Sequence, residues 1–309
     1  MATGIVVRPD PAAANAVEDA VSQASCAFQR GVRQVWVGQR FDVDALTLAA
    51  LIANAVPGLG VGTAIVPINP RHPLLVAAAA QTAQAAAHGN FSLGIGLGGN
   101  ELEQRAYGIP AGKEIARRRE YLTVLRSVVD DGAVDFQGQE LTARPPLSPV
   151  VAGGLPLPIY VAAMGPRALR VAGELADGTL PYLAGPRTIE EFIAPTIVQA
   201  AADAGRPPPR IIASVPVAVT DNPDAARAEA ASSLHFYDQF PSYQAIMARE
   251  GVTHAADLAI IGDRKAVIDR LLRYRAAGAT DLVLNAFQTE PSALQSVWAV
   301  AAELDQTAD

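Results

Sequence analysis

Residues 60–99, GVGTAIVPINPRHPLLVAAAAQTAQAAAHGNFSLGIGLGG, decide the fold class of this chain. Two short apolar runs, residues 61–66 and 91–97, flank an alanine-rich helical segment, and neither run alternates cleanly between apolar and polar residues. Such continuous runs are typical of parallel strands that are buried on both faces. The stretch therefore predicts a strand–helix–strand unit whose strands both end in loops, at the edge where α/β proteins bind their ligands.

The same alternation continues over the rest of the chain. Short apolar strands alternate with amphipathic helices about eight times, which predicts an α/β protein with the fold of a (β/α)8 TIM barrel. Proline opens several of the predicted helices and glycine follows several others, as is common at helix starts and stops. The predicted strands are residues 4–7, 34–37, 60–66, 91–96, 157–162, 178–182, 210–219 and 281–285.

The alternation is interrupted between the fourth and fifth predicted strands by an insertion at about residues 100–156. It contains a charged helix (residues 113–131), a small hairpin (134–141) and a proline-rich connector (145–149). Because no second core-sized apolar set accompanies it, we expect an insertion at the ligand-binding face within a single domain of residues 1–309.

A second irregular stretch, residues 237–257, carries Phe240, Tyr243 and Met247 on a predicted helix and is a candidate cover for the barrel mouth.

Composition and charge exclude several classes of function. The chain has 24 Lys and Arg against 31 Asp and Glu, a net charge of −7, which argues against a nucleic-acid surface. The three arginines at residues 117–119 are interpreted as a solvated helix face. A single cysteine, Cys26, excludes an intramolecular disulfide, and four scattered histidines predict no metal site. The apolar segments are too short or too polar for a membrane span, and the first residues lack the features of a secretory signal, so we expect a cytoplasmic protein.

Several motifs together resemble one known family over nearly the whole chain. They are NPRHP at residues 69–73, GIGLGG at 94–99, YVAAMGP at 160–166, ADG at 176–178, GD at 262–263 and AGATD at 277–281. With these motifs the chain is similar to the luciferase-like monooxygenase superfamily, and within it to the branch that uses the deazaflavin coenzyme F420. The resemblance implies a barrel that binds flavin or deazaflavin at the carboxyl ends of its strands and that forms a homodimer.

The connection formed by Ala163, Met164, Gly165 and Pro166 is the predicted phosphate site. It joins a strand to a helix whose first turn carries free backbone N–H groups, and small residues there let an anion approach closely. A tight connection without any ligand suits the same residues. The resemblance implies that Met164 and Gly165 bind the phosphate of the cofactor.

The resemblance also implies which residues contact the ring of the cofactor. Ala64 and Ile65 match the position of a non-proline cis peptide bond behind that ring, although an ordinary buried strand is the alternative. Asn100 matches an asparagine that hydrogen-bonds the ring or its side chain, and a plain turn is the competing interpretation. Tyr182 either packs on the ring edge or delivers a proton to the substrate.

Gln39 and Arg40 follow the second predicted strand. In deazaflavin-dependent sugar-phosphate and alcohol dehydrogenases of the superfamily the matching pair is commonly Asp-His, so the base that assists alcohol oxidation is missing here. Glu101 is close enough to replace an acidic residue that those dehydrogenases carry after the fourth strand. Arg40 is interpreted either as a group that binds an anionic substrate or polarises a carbonyl, or as a salt-bridge partner of Asp42 or Glu101.

The function implied by the resemblance is an oxidoreductase that transfers a hydride between reduced F420 and a C=C, C=N or C=O bond of a small molecule. Gln39, Arg40 and Glu101 are its expected catalytic residues, and Gln39 is also expected to contact the cofactor. A separate reductase or dehydrogenase would recycle the cofactor. One alternative is an FMN-dependent two-component monooxygenase, and another is a catalytically inactive paralogue that still binds the cofactor.

Overall fold

In the computed structural model, eight parallel strands close into a barrel. The structure describes residues 2–98, 100–110 and 113–306, without the side chains of residues 100–102. The last strand pairs with both the first and the seventh, so that Gly4 and Ser214 both lie opposite Val283. The closed ring confirms the predicted (β/α)8 barrel. In chain order, the barrel strands β1–β8 are Thr3–Val6, Gln34–Val37, Gly60–Thr63, Phe91–Gly96, Ile159–Val161, Gly178–Thr179, Arg210–Val219 and Asp281–Ala286.

Helices surround the barrel and cover the outer faces of its strands. The side chains of Asn15, Asp44 and Asp263 accept hydrogen bonds from first-turn amides of the helices that follow them, which stabilises those helix starts. None of the described helices is long and apolar enough to cross a membrane. In chain order, the helices α1–α12 are Ala16–Gln29, Ala45–Ala55, Pro73–Ala86, Asn100–Tyr107, Glu114–Arg126, Pro166–Leu175, Pro186–Thr188, Ala194–Asp203, Pro223–Leu234, Pro241–Glu250, Arg264–Ala276 and Pro291–Gln306.

The third predicted strand, residues 60–66, is divided in the structure. β3 ends at Thr63, and a separate two-residue strand, Val66–Pro67, pairs with β4. The peptide bond between Ala64 and Ile65 is cis, as the resemblance implied. These two residues therefore lie between the two strands, at the carboxyl end of the barrel.

Other predicted strands also differ in their bounds, and the fifth, predicted at residues 157–162, is shorter and spans Ile159–Val161. The sixth predicted strand, residues 178–182, ends at Thr179, since Pro181 has no backbone N–H to continue the ladder. The helix that begins at Pro223 ends at Leu234, and a 3₁₀ segment, His235–Gln239, follows it directly. An unpredicted short strand, Ile260–Gly262, pairs with the end of β7.

The segment between β4 and β5 contains the predicted charged helix and hairpin. α5 continues through a π-helical turn at Ser127–Asp131, and Phe136–Gln137 pairs antiparallel with Thr142–Ala143. The interpretation of the arginine triplet as a solvated face is wrong for Arg118, which is only 6% exposed, whereas the side chain of Arg119 is 48% exposed. The helix packs against both α3 and α6, and burial lowers the pKa of Arg118 to about 10.

Close approach between β3 and β4 requires glycine at position 94. A Cβ atom on Gly94 would lie 1.9 Å from the carbonyl oxygen of Thr63. The hydroxyl of Thr63 donates to the carbonyl of Gly94 and accepts from its amide, at 2.9 Å in both cases. This contact joins the two strands directly before Ala64.

Two apolar clusters shape the carboxyl end of the barrel. Ala64 and Ile65 pack on a cluster of inward-facing barrel residues: Trp36, Tyr160, Leu180, Ile212 and Val283. The second cluster, which we call the lid cluster, lies under α9 and α10 and is separate from the main core. Its buried members are Leu183, Ala218, Ala226, Ala230, Leu234, Met247, Ala255, Leu258, Ala259, Ile261 and Phe287. Tyr182, Tyr237 and Tyr243 pack on the lid cluster and extend to the barrel mouth.

Candidate active site

A cavity of about 350 Å³ lies at the carboxyl ends of the barrel strands. Its walls come from residues at or just beyond the ends of β1, β2, β3, β5, β6 and β8, from β7, and from the segment between α9 and α11. The volume is in the range of small-molecule and cofactor sites. The polar and aromatic side chains that line the cavity are Arg8, Gln39, Arg40, Tyr182, Ser214, Tyr237, Tyr243 and Asn285.

The cavity brings together most of the residues that the sequence predicted for the site. Ala163 is buried and does not line the cavity, Gly165 is the N-cap of α6, and Pro166 is the first residue of that helix. The side chains of Asn100 and Glu101 lie outside the described residues, so the roles proposed for them stay predictions. The predicted residues that line the cavity are Gln39, Arg40, Ala64, Ile65, Met164 and Tyr182.

The side chain of Gln39 is engaged by the loop that follows β2. Its amide nitrogen donates to the carbonyl oxygens of Arg40 at 2.6 Å and Val43 at 3.0 Å. Its amide oxygen accepts from the Ala45 amide at 3.1 Å and from Arg71 at 3.2 Å. Since both N–H donors and the oxygen are occupied, Gln39 shapes the cavity wall and offers a ligand no free donor.

Arg40 forms a two-pronged ion pair with Asp42. Its Nε lies 2.9 Å from Oδ1 and its Nη2 lies 2.8 Å from Oδ2 of the carboxylate. The hydrogen bond from Arg40 holds the pKa of Asp42 below its usual value. This is one of the two interpretations that the sequence offered. The pair engages two of the five guanidinium donors, so it orients Arg40 and leaves donors that a ligand can use.

The side chains of Tyr182 and Asn285 both line the cavity wall. Burial raises the pKa of Tyr182 well above its usual value, Tyr237 and Tyr243 raise it further, and Arg8 opposes the rise. The three tyrosine rings pack edge to face, with centroids 5.2 Å apart for Tyr182 and Tyr237 and 4.9 Å apart for Tyr237 and Tyr243. The phenol of Tyr182 therefore stays protonated in the neutral pH range.

The first turn of α6 opens beside Met164 at the rim of the cavity. No side chain caps this helix, and a Cβ atom on Gly165 would meet no atom within 4 Å. The first-turn amides of a helix carry a partial positive charge. The turn has room and polarity for an anionic group, which is the role that the sequence predicts for Met164 and Gly165.

Sequence reasoning missed Arg8, Ser214, Tyr237 and Asn285 as cavity residues. Arg8 follows β1 and Asn285 lies near the end of β8, and the guanidinium of Arg8 donates to the amide oxygen of Asn285 at 3.2 Å. The rule that ligands bind at the carboxyl ends of barrel strands applies to β1 and β8 as well, and it would have indicated both residues. Tyr237 begins the irregular stretch that the sequence assigned to the mouth.

Glu103 is a buried carboxyl group on α4 that does not line the cavity. It is 4% exposed, the amide nitrogen of Asn69 donates to its Oε2 at 2.6 Å, and its Oε1 has no hydrogen-bond partner in the described part of the chain. Burial raises the pKa of Glu103, while the bond from Asn69 and the charge of Arg117 oppose the rise. The contribution of Glu103 to folding therefore depends on pH.

The chemistry available to the lining side chains is limited. Over the residues that the structure describes, the cavity lining contains no Asp, Glu, His, Lys or Cys. Its arginines and tyrosines donate hydrogen bonds and its arginines carry positive charge, but neither residue type acts as a general base at neutral pH. Such a lining suits a bound cofactor that supplies the reactivity while the protein supplies orientation.

The fold and the cavity define a TIM-barrel protein with a ligand site at the mouth of the barrel. A family model described as luciferase-like monooxygenase matches residues 1–281. The chain belongs to this family.

Individual known proteins show the same likeness. A protein of Mycobacterium tuberculosis (strain ATCC 25618 / H37Rv), whose name provisionally describes a coenzyme F420-dependent oxidoreductase, is 25% identical over 86% of this chain and 90% of its own length. The coenzyme F420-dependent tetrahydromethanopterin reductase of Methanopyrus kandleri has a TM-score of 0.81 and 21% identity, covering 100% of this chain and 99% of its own. The oxygenating constituent of 3,6-diketocamphane monooxygenase from Pseudomonas putida, in complex with FMN, has a TM-score of 0.76 and 17% identity, covering 97% of both chains. At these identities the solved structures establish the likeness of the fold alone.

Proposed function

We propose that this chain is a coenzyme F420-dependent oxidoreductase that transfers a hydride between the reduced deazaflavin and a C=C, C=N or C=O bond of a small organic substrate. The observation that carries the proposal is the cavity lining, which offers hydrogen-bond donors but no general base among the described residues. When bound, the cofactor supplies or accepts the hydride, and the protein then has to supply orientation and electrostatics. The F420-dependent relatives support this choice of cofactor.

The residues around the cavity fit such a cofactor. The volume of about 350 Å³ suits a planar ring system, and Ala64 and Ile65 offer it an apolar wall. The uncapped turn at Gly165 offers backbone amides for a phosphate, next to the side chain of Met164. In this proposal Ala163 and Pro166 fix the conformation of that turn, and Asn100 and Gln39 lie along the edge of the ring.

The other residues of the site act on the substrate. Arg40, oriented by Asp42, donates hydrogen bonds to the substrate atom that gains negative charge. Tyr182 keeps its proton in the neutral range, because burial raises its pKa, and delivers that proton to the substrate. Glu101 is the second candidate for this proton transfer. Alcohol oxidation is not expected, because Gln39 and Arg40 stand in place of an Asp-His pair.

The proposal extends to the assembly and setting of the protein. We expect a homodimer in the cytoplasm, with a separate reductase or dehydrogenase that recycles the cofactor. Analytical ultracentrifugation of the purified protein tests the oligomeric state, and a monomer at micromolar concentration contradicts it.

A second candidate is an FMN-dependent two-component monooxygenase, which the structural likeness to the FMN-bound monooxygenase supports. Titration of the purified protein with F420 and with FMN, followed by cofactor fluorescence and by melting temperature, distinguishes the two. A ligand that binds the folded state raises its apparent stability by mass action. Binding of F420 and not of FMN is the expected result, and binding of FMN alone overturns the proposal.

Turnover is tested on the same preparation. Oxidation of reduced F420 is followed by absorbance with a panel of enones, imines and ketones. Consumption of reduced F420 that depends on the substrate supports the proposal. Binding of F420 with no turnover over the whole panel would instead favour the catalytically inactive paralogue.

A further inference from the structure

The cavity has a charge pattern that narrows the substrate class, and this inference rests on the proposed function. Two guanidinium groups, those of Arg8 and Arg40, line the cavity, and no carboxylate does so among the described residues. The chain as a whole has a net charge of −7, so a positively charged cavity is a local exception. Clefts lined by one sign of charge concentrate ligands of the opposite sign.

Of the two cavity arginines, Arg8 has no acidic partner in the part of the chain that the structure describes. It donates to the neutral amide oxygen of Asn285 at 3.2 Å, which orients the group without cancelling its charge. Arg40 differs, because Asp42 lies 2.8 Å away and balances its charge. The net positive charge of the cavity therefore resides at Arg8.

The guanidinium of Arg8 lies close to the tyrosines of the cavity wall. Burial raises the pKa of both Tyr182 and Tyr237, and the charge of Arg8 opposes the rise at both. The rings of Tyr182 and Tyr237 pack 5.2 Å apart, and both tyrosines line the cavity together with Arg8, so the lining offers a ligand several hydrogen-bond donors. A carboxylate has two oxygens that accept several such bonds and matches the fork of a guanidinium.

We propose that the substrate is a small unsaturated or oxo acid whose carboxylate binds to Arg8 at the tyrosine side of the cavity. One guanidinium without an acidic partner balances a single negative charge, which favours a carboxylate over a phosphate dianion. The aromatic rings of Tyr237 and Tyr243 and the side chain of Leu180 line the same cavity, so the body of the acid is apolar or aromatic.

The test compares two probes of nearly the same shape, one an anionic carboxylate and the other a neutral amide. Binding of 4-phenylbutanoate and of 4-phenylbutanamide is measured by calorimetry on the protein saturated with F420, for the wild type, Arg8→Gln and Arg275→Gln. Arg275 is an exposed arginine in the last turn of α11 and serves as the matched control. The wild type and Arg275→Gln are expected to bind the acid about tenfold more tightly than the amide, as a charge-assisted hydrogen bond predicts. Arg8→Gln is expected to abolish this preference and to leave the affinity for F420 unchanged.

Two results overturn the inference. The first is that the wild type binds the acid no more tightly than the amide, which includes the case of no measurable binding of the acid. The second is that Arg8→Gln still binds the acid more tightly than the amide. Because Arg8 is exposed, Arg8→Gln is expected to fold, and thermal melting checks this. Arg8→Lys keeps the positive charge and is measured as a second variant. If F420 itself does not bind, the proposed function fails, and the same comparison on the cofactor-free protein still decides whether Arg8 recognises a carboxylate.

Discussion

Replacing Arg40 with glutamine separates the structural role of this side chain from its proposed role in catalysis. The ion pair that is lost joins side chains that are 33% and 60% exposed, those of Arg40 and Asp42. Exposed pairs of this kind contribute about 0–1 kcal/mol to the free energy of unfolding. For a chain of this size the loss lowers the melting temperature by about 2 °C or less. Arg40→Gln is therefore expected to stay folded.

The expected effect on catalysis is much larger. Removing a donor to the atom that gains negative charge costs about 2.7 kcal/mol of transition-state stabilisation, which lowers kcat/KM about 100-fold. Asp42→Asn is the matched control, because it breaks the same ion pair and keeps the guanidinium. It is expected to change kcat/KM less than about threefold, since only an exposed ion pair is lost.

The assay is the steady-state oxidation of reduced F420 with an enone substrate, and melting temperatures are measured on the same preparations. Equal losses of kcat/KM in Arg40→Gln and Asp42→Asn would show that activity requires the ion pair, and not a hydrogen bond from Arg40 to the substrate. An unchanged kcat/KM in a folded Arg40→Gln variant would refute the assignment of Arg40 to the substrate.

Three further predictions concern proton transfer, packing and pH. Tyr182→Phe removes the hydroxyl that is proposed to deliver the proton and is expected to lower kcat about 100-fold. In the wild type, the raised pKa of Tyr182 predicts that this group causes no loss of rate between about pH 6 and 9. Gly94→Ala would place a Cβ atom 1.9 Å from the carbonyl oxygen of Thr63. It is expected to lower the free energy of unfolding in urea by about 3 kcal/mol or more. Burial raises the pKa of Glu103, so the folded state binds this proton more tightly than the unfolded state, whose carboxyl has a pKa near 4.5. The protonated carboxyl therefore stabilises the folded state below the unfolded pKa of 4.5, and this stabilisation is lost as pH rises through the raised pKa of the folded state. Relative to the wild type, Glu103→Gln is expected to become more stable as pH rises, as measured by thermal melts.

Each of these predictions has a control and a contrary outcome. Tyr237→Phe removes a hydroxyl from the same wall, and an equal loss of kcat in that variant would argue against proton transfer by Tyr182. Gly165→Ala adds a Cβ atom with no neighbour within 4 Å and is expected to cost less than about 1 kcal/mol. A Gly94→Ala variant as stable as Gly165→Ala contradicts the packing argument. For Glu103→Gln, a stability difference that does not change with pH contradicts the assignment of a raised pKa.

The barrel is predictable from the sequence because its signal is local. Each strand has its own apolar run, as residues 91–96 illustrate, and many helices have their own cap or opening proline. Features that depend on neighbouring elements are not predictable in this way. The strand Ile260–Gly262 is only three residues long and exists because β7 extends to Val219 beside it. Arg118 has the sequence character of a surface residue, and it is buried because α5 packs between α3 and α6.

The candidate site follows from the sequence in part. Gln39, Arg40 and Tyr182 lie just beyond strand ends, and the barrel rule assigns ligand sites to such positions. The conformation of the folded loops decides which of their polar atoms remain available to a ligand. The side-chain amide of Gln39 makes all of its hydrogen bonds within the protein, whereas the guanidinium of Arg40 keeps unused donors. The contact between Arg8 and Asn285 joins residues 277 positions apart, and it depends on closure of the barrel. A local pattern carries no information about such a contact.

The tyrosine wall of the cavity rests on the lid cluster and not on the main core of the barrel. Close-packed side chains transmit a change in volume chiefly to their direct neighbours. Substitutions at Leu234 or Met247 are therefore expected to reshape one wall while the opposite wall, at Ala64 and Ile65, stays as it is. Sequence changes confined to this small cluster are therefore expected to alter which ligands the cavity accepts, while the wall formed by Ala64 and Ile65 keeps its shape.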